Sequence, residues 1–191
     1  TSEGTKGVDS TGHGSHTAGI AAGNAITDAL QGYTVALSRN VSGVAPHASL
    51  ITYKACDLAP IDSSSDGTCA ESALVAAIDQ ATADQVDVIN FSIGGGTYDP
   101  YELLADPTSD VYAMFQARAA GVVVVASAGN DGPDARTLGE PANAPWVIGV
   151  ANASHNRRFA NSLGAFSGAP NPPATLTGQG YTSGYGPAAI V

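Results

Sequence analysis

The residues best suited to chemistry sit in a few short strings. Asp9-Ser-Thr-Gly-His-Gly-Ser-His-Thr-Ala-Gly-Ile-Ala-Ala-Gly23 packs Gly12, Gly14, Ala18, Gly19, Ala21 and Ala22 around His13 and His16. Gly within a helix costs about 1 kcal/mol relative to Ala, so this density of small residues implies either a close approach of helix to sheet or a functional demand. His13 falls at the N-terminus of the predicted helix, a place from which an imidazole can serve as a base. The i, i+3 spacing of His13 and His16 would also suit two metal ligands. No cysteine or acidic cluster beside them completes four, so we assign no metal and read His16 as a buried, hydrogen-bonded structural histidine.

A second string, Ser127-Ala-Gly-Asn130-Asp-Gly-Pro133, directly follows the most hydrophobic run of the chain. An Asn at the end of a buried strand offers a rigidly held amide N–H to a developing negative oxygen, as acyl transfer requires. The same residues would equally serve a turn in which Asn and Gly supply permissive backbone angles. A third, Asn90-Phe-Ser92-Ile-Gly-Gly-Gly96, lacks both the GxGxxG and the GxxxxGK[ST] spacing, which disfavours a nucleotide-binding protein. An extended edge that presents backbone groups to a peptide fits it better.

These strings need elements to hold them. Leu50 to Tyr53, Val86 to Phe91, Val122 to Ala126 and Trp146 to Val150 are short apolar runs closed by turn residues, the pattern of buried parallel strands. A helix is predicted between the first two, with Thr68 and Glu71 as a capping box and Leu74, Val75, Ile78 and Ala81 on one face. A second, entered at Thr108 or Ser109 and stopped at Gly121, turns Val111, Tyr112, Phe115 and Ala119 inward. The order βαβαβ predicts an α/β fold with a parallel sheet, whose ligands sit beyond the carboxyl ends of the strands. Residues 24–42 read as an irregular polar surface loop, able to hold calcium but without a diagnostic ligand spacing. From residue 155 the chain turns rich in Gly, Pro, Ser and Thr, and we place a boundary there.

Composition excludes some functions. Seventeen acids against seven bases give a net charge of −10, which opposes binding to nucleic acid or an anionic membrane. No apolar run approaches the ~18 residues of a transmembrane helix. Cys56 and Cys69 enclose a polar, Gly- and Ser-containing stretch that could close as a disulfide worth roughly 3 kcal/mol, although an even pair of cysteines suits two buried thiols nearly as well.

Taken together the strings resemble the subtilisin-like serine proteases, the subtilases. The similarity runs through Gly-His-Gly-Ser-His-Thr-Ala-Gly at 12–19, Gly-Val-Ala-Pro-His-Ala at 43–48, Asp-Val-Ile-Asn-Phe-Ser-Ile-Gly at 87–94, Ala-Gly-Val-Val-Val-Val-Ala-Ser-Ala-Gly-Asn at 120–130 and Pro-Trp-Val-Ile-Gly-Val at 145–150. The resemblance implies a partial three-layer α/β/α subtilisin-like sheet over 1–154. It makes His13 the general base and Asn130 the side-chain donor of the oxyanion hole. Ser92, Ile93 and Gly94 would form one wall of the S1 pocket, Ser127, Ala128 and Gly129 the other, and Gly139 its base. Asp131 near the rim would favour a basic P1 side chain.

Two departures narrow that reading. Subtilase triads run Asp, His, Ser along the chain. Only twelve residues precede His13, and we read Asp9 as the acid commonly found just ahead of the histidine string rather than the triad aspartate. The Gly-Thr-Ser-Met-Ala serine motif does not occur. Residues 155–191, with Pro172-Pro-Ala-Thr-Leu and Tyr185-Gly-Pro-Ala-Ala-Ile-Val191, resemble the lead-in to a β-rich protease-associated insertion that precedes the serine in many secreted members. The expectation is a fragment of a secreted endopeptidase, inactive alone, that binds protein or peptide substrate, requires no cofactor, and needs the remainder of its catalytic domain. Calcium would be structural only. A sheet missing its neighbours would expose apolar surface and self-associate. The alternative is a peptide-binding module or pseudoenzyme.

Overall fold

The computed structural model describes residues 9, 11–32, 35–57, 68–154, 156, 160–164, 166–168 and 170–179. In chain order the elements are α1 (His13–Ala22), β1 (Ile26–Gly32), β2 (Val35–Val41), β3 (Cys56–Asp57), β4 (Thr68–Cys69), α2 (Glu71–Ala83), β5 (Val88–Phe91), α3 (Pro100–Leu104), α4 (Asp110–Ala119), β6 (Val123–Ser127), β7 (Ile148–Val150), β8 (Ala160–Gly164) and β9 (Thr175–Gln179). The chain divides into two compact units, Thr1–Thr17 with Ile51–Ala153, and Ala18–Leu50 with Ser154–Val191.

The first unit holds a parallel sheet in the order β5-β6-β7, with Val88 opposite Val123 and Val125 opposite Ile148. Its core lies on one face. Phe91, Val122, Val124 and Ala126 are buried there with Leu74 and Ile78 of α2 and Val111, Met114 and Ala117 of α4. Burying a side chain of this size contributes about 1.5–3 kcal/mol. The opposite face is bare: Val88 is 55 % exposed, Ile148 55 % and Val150 52 %. Within this unit the described residues cover the sheet on one side only.

Sequence and structure part company at several further points. Leu50 to Tyr53 forms no strand and makes no ladder, since a strand exists only with a partner and β5 pairs on one side alone. The capping box of α2 does not form. Thr68 lies in β4 opposite Asp57, the N-cap is Ala70, and Glu71 turns its Oε1 to accept from the Asp110 N–H at 2.6 Å. Leu74, Ile78 and Ala81 do face inward, with Val75 half-buried.

Helix α4 starts as predicted. Ser109 Oγ accepts from the Tyr112 N–H at 3.3 Å, and Gly121 ends the helix with φ 98°. Its phase differs, because Asp110, Val111, Ala113, Met114 and Ala117 are buried while Phe115 and Ala119 are exposed. Phe115 instead meets Trp146 edge-on at 5.4 Å between ring centroids, and the indole N–H donates to the Val111 carbonyl at 3.2 Å. The aromatic pair gives Phe115 a partner at the margin of the core, where Trp146 packs.

In the second unit, residues 24–42 are not a loop. They carry the antiparallel pair β1–β2, whose register shifts between Ile26 and Ala29 and again between Ala29 and Gln31. Each irregularity resets the two-residue alternation, which hides the strands from periodicity. The Gly43–Ala45 segment caps the end of α1: its N–H groups donate to the carbonyls of Gly23, Ile20 and Ala21 at 2.8–2.9 Å. A Cβ on Gly43 would press on the backbone nitrogens of Gly23 and Ala22, so this approach requires glycine. Strands β8 and β9 pair antiparallel from Ala160–Gln179 to Gly164–Thr175. Residues 180–191, with Tyr185 to Val191, lie outside the described residues.

Candidate active site

His13 is the first residue of α1, and a carboxylate organises the turn before it. Asp9 Oδ1 accepts from the N–H groups of Thr11 at 3.1 Å and Gly12 at 2.9 Å, while Oδ2 accepts from the Ser15 N–H at 2.6 Å. These backbone donors, Ser15 first, hold the Asp9 carboxyl far below the ordinary carboxylate range. Both Asp9 oxygens thus face helix amides, which is cap geometry and not the imidazole contact a triad aspartate makes.

The ring of His13 lies in the open, and so does His16, whose predicted burial does not occur. Helix α1 buries no residue, and a Cβ at Gly19 would meet nothing within 4 Å; the close approach its small residues do admit is that of Gly43 to Ala22 and Gly23.

The remaining candidates converge at the carboxyl ends of the sheet strands. Ser92, Ile93 and Gly94 leave β5, and Ser127 closes β6 before Ala128, Gly129 and Asn130. Gly139 and Glu140 run between the two segments and are bonded to both. The Gly139 N–H donates to the Ala128 carbonyl at 3.1 Å, the Glu140 N–H to Gly96 at 3.1 Å, and the Gly95 N–H to the Glu140 carbonyl at 3.2 Å.

Proximity requires glycine at Gly94 and leaves little room at Gly139. A Cβ on Gly139 would lie 3.3 Å from the Gly96 oxygen and 3.7 Å from that of Ala128, and one on Gly94 would strike the Glu140 carbonyl. Gly129 turns with φ 87° and faces Gly139. The result is a cleft with two backbone walls and a glycine floor, and Asn130 stands exposed past the end of one wall with Asp131 beside it.

Two residues that sequence reasoning passed over complete this frame. Asn143 donates from Nδ2 to the Tyr98 carbonyl at 2.8 Å and from its backbone N–H to Gly139 at 3.2 Å, which bolts the floor to the loop after β5. Glu140, half-buried, carries the main-chain bonds to Gly95 and Gly96. The only sequence signal for Asn143 was its place two residues ahead of Pro145-Trp146.

Cys56 and Cys69 form a disulfide that links β3 to β4 ahead of α2. Among the described residues, no group of three or more His, Cys, Asp or Glu could hold a metal ion, and no helix is long and apolar enough to cross a membrane.

A parallel sheet with helices packed against it is an α/β subtilisin-like fold. The chain belongs to the subtilase family, whose model matches residues 1–188. It is 40 % identical over 153 residues to subtilisin-like protease SBT4.6 of Arabidopsis thaliana, a match covering 79 % of this chain and 19 % of that protein. It is 36 % identical over 155 residues to the CO(2)-response secreted protease of the same plant, covering 81 % of this chain and 18 % of the relative. Among solved structures, Sphericase aligns at 32 % identity with a TM-score of 0.45, over 62 % of this chain and 36 % of its own. The chain thus spans about a fifth of the length of the curated relatives it matches.

Proposed function

We propose that this chain is part of a secreted serine endopeptidase that hydrolyses peptide bonds through an Asp-His-Ser triad. The observation that carries the reading is the cleft itself: Gly139 and Glu140 hydrogen-bonded to both Ala128 and Gly95–Gly96, in a chain with subtilase similarity from end to end. The backbone of Ser92–Gly94 would pair with an extended peptide, and Ser127–Gly129 would form the facing wall. Asn130 would donate to the oxyanion, and His13 would take the serine proton and return it to the leaving amine. Asp131 would favour a basic P1 side chain by charge.

The aspartate and serine would come from the remainder of the catalytic domain, so the chain alone is inactive. Residues 155–191 would lead into a protease-associated insertion, with the β8–β9 pair as its first hairpin. The disulfide favours an oxidising compartment, and one relative carries the word secreted in its name. Its charge of −10 argues against nucleic-acid and membrane partners. Acyl transfer by this route draws on no cofactor, and a calcium ion would serve structure alone.

A fluorophosphonate probe tests the reading: it should label the longer protein that contains this chain and leave the isolated chain unlabelled. Labelling of the isolated chain would refute its inactivity. A longer protein that bound peptide but resisted the probe would establish instead the rival, a peptide-binding module that has kept the cleft.

A further inference from the structure

Asn143 joins the cleft floor to the loop after β5. Its backbone N–H donates to the Gly139 carbonyl at 3.2 Å, and its Nδ2 donates to the Tyr98 carbonyl, 45 residues away in the chain, at 2.8 Å. The Tyr98 ring packs on Gly96, where an added Cβ would lie 2.7 Å from Cε2, and the Gly96 carbonyl accepts from the Glu140 N–H. Wall and floor are thus tied twice, by the main-chain bonds between Gly95–Gly96 and Glu140 and by the Asn143 side chain. The second tie needs an amide at 143.

That amide is costly where it sits. A carbonyl accepts only from a donor, so the bond to Tyr98 turns Nδ2 toward the loop and leaves Oδ1 enclosed with no hydrogen-bond partner. An enclosed acceptor without a donor destabilises a fold, whereas an apolar group of the same shape can be nearly neutral. The neighbouring Pro141, Ala142 and Ala144 are buried and apolar. Packing alone therefore gives no reason for asparagine in this segment, and the gain lies in where the bond holds the loop.

The spacing it holds is tight. A Cβ on Gly139 would lie 3.3 Å from the Gly96 oxygen, and one on Gly94 would strike the Glu140 carbonyl. We propose that Asn143 is a positioning residue: its Nδ2 holds the Gly94–Tyr98 loop against the Gly139–Glu140 floor and so fixes the depth of the pocket for the P1 side chain. That the pocket takes P1 rests on the function proposed above; the tie between loop and floor does not. A P1 side chain that reaches the floor depends on this depth, while the methyl of an alanine stops short of it.

Asn143→Ala and Asn143→Asp, made in the longer protein that contains this chain, test the assignment. Both remove the donor; Asp keeps the shape and Ala adds no charge. Amide exchange should show protection at Gly95 and Glu140 falling about tenfold more than at Met114 of α4 and Val124 of β6, the size of one lost hydrogen bond. On peptide amides, kcat/KM should fall about tenfold for Phe or Lys at P1 and stay within about twofold for Ala.

An equal loss of protection at all four amides in both variants would make Asn143 a structural residue and overturn the tie, as would protection at Gly95 and Glu140 that neither variant changes. An equal fall for large and small P1 residues, or none, would overturn the role in the pocket. If the longer protein resists the fluorophosphonate probe, the P1 role falls with the protease reading, and the exchange measurement still decides the tie.

Discussion

Asn130 and Asp9 show how far a single side chain can be argued. Asn130 stands exposed past β6, at the end of the wall opposite Ser92–Gly94. In subtilisin itself, removal of the oxyanion Asn lowers kcat by about 10²–10³, and we expect Asn130→Ala to do the same in the longer protein with KM little changed. Steady-state kinetics on a peptide amide checks this. Asp9 makes a different case, because its exposed carboxylate spends both oxygens on the N–H groups of Thr11, Gly12 and Ser15. Asp9→Ala should loosen the first turn of α1, read as faster amide exchange at Ser15. The histidine and the asparagine were legible as residue types in telling strings. Asp9 was legible as an acid outside the triad, but not as a cap, since the N–H groups it accepts from are fixed only by the fold of the turn.

At the scale of elements, α4 supplies Val111, Ala113, Met114 and Ala117 to the core, with Met114 and Val111 fully buried. Met114→Ala should cost about 2–5 kcal/mol, measured by denaturant unfolding of the chain, because the tight packing around it leaves a cavity that cannot fully collapse. The helix ends were readable from Ser109 and Gly121, whose local chemistry sets a cap and a stop. The inward face was not. Phe115 looks like a core residue by hydrophobicity, but it is exposed and meets Trp146 edge-on at the margin of the core, while Asp110 looks like a surface residue and is buried.

For the whole molecule, the one-sided sheet has the largest consequence. Val88, Ile148 and Val150 are each more than half exposed on a face that an α/β sheet ordinarily covers with a further helical layer. The isolated chain should self-associate through this surface, giving a mass above that of a monomer in light scattering coupled to size exclusion, whereas a monodisperse monomer would count against it. The sequence by itself determined the class of fold, the three strands β5, β6 and β7, the two long helices between residues 71 and 119, and the strings that meet at the cleft, because apolar runs, caps and glycine turns are local properties. Tertiary structure alone decided which face of each element is covered, that residues 26–41 pair as strands, that Leu50–Tyr53 joins no ladder, and that the Asp110 N–H meets Glu71. Those outcomes depend on partners distant in the chain, and no local pattern names a partner.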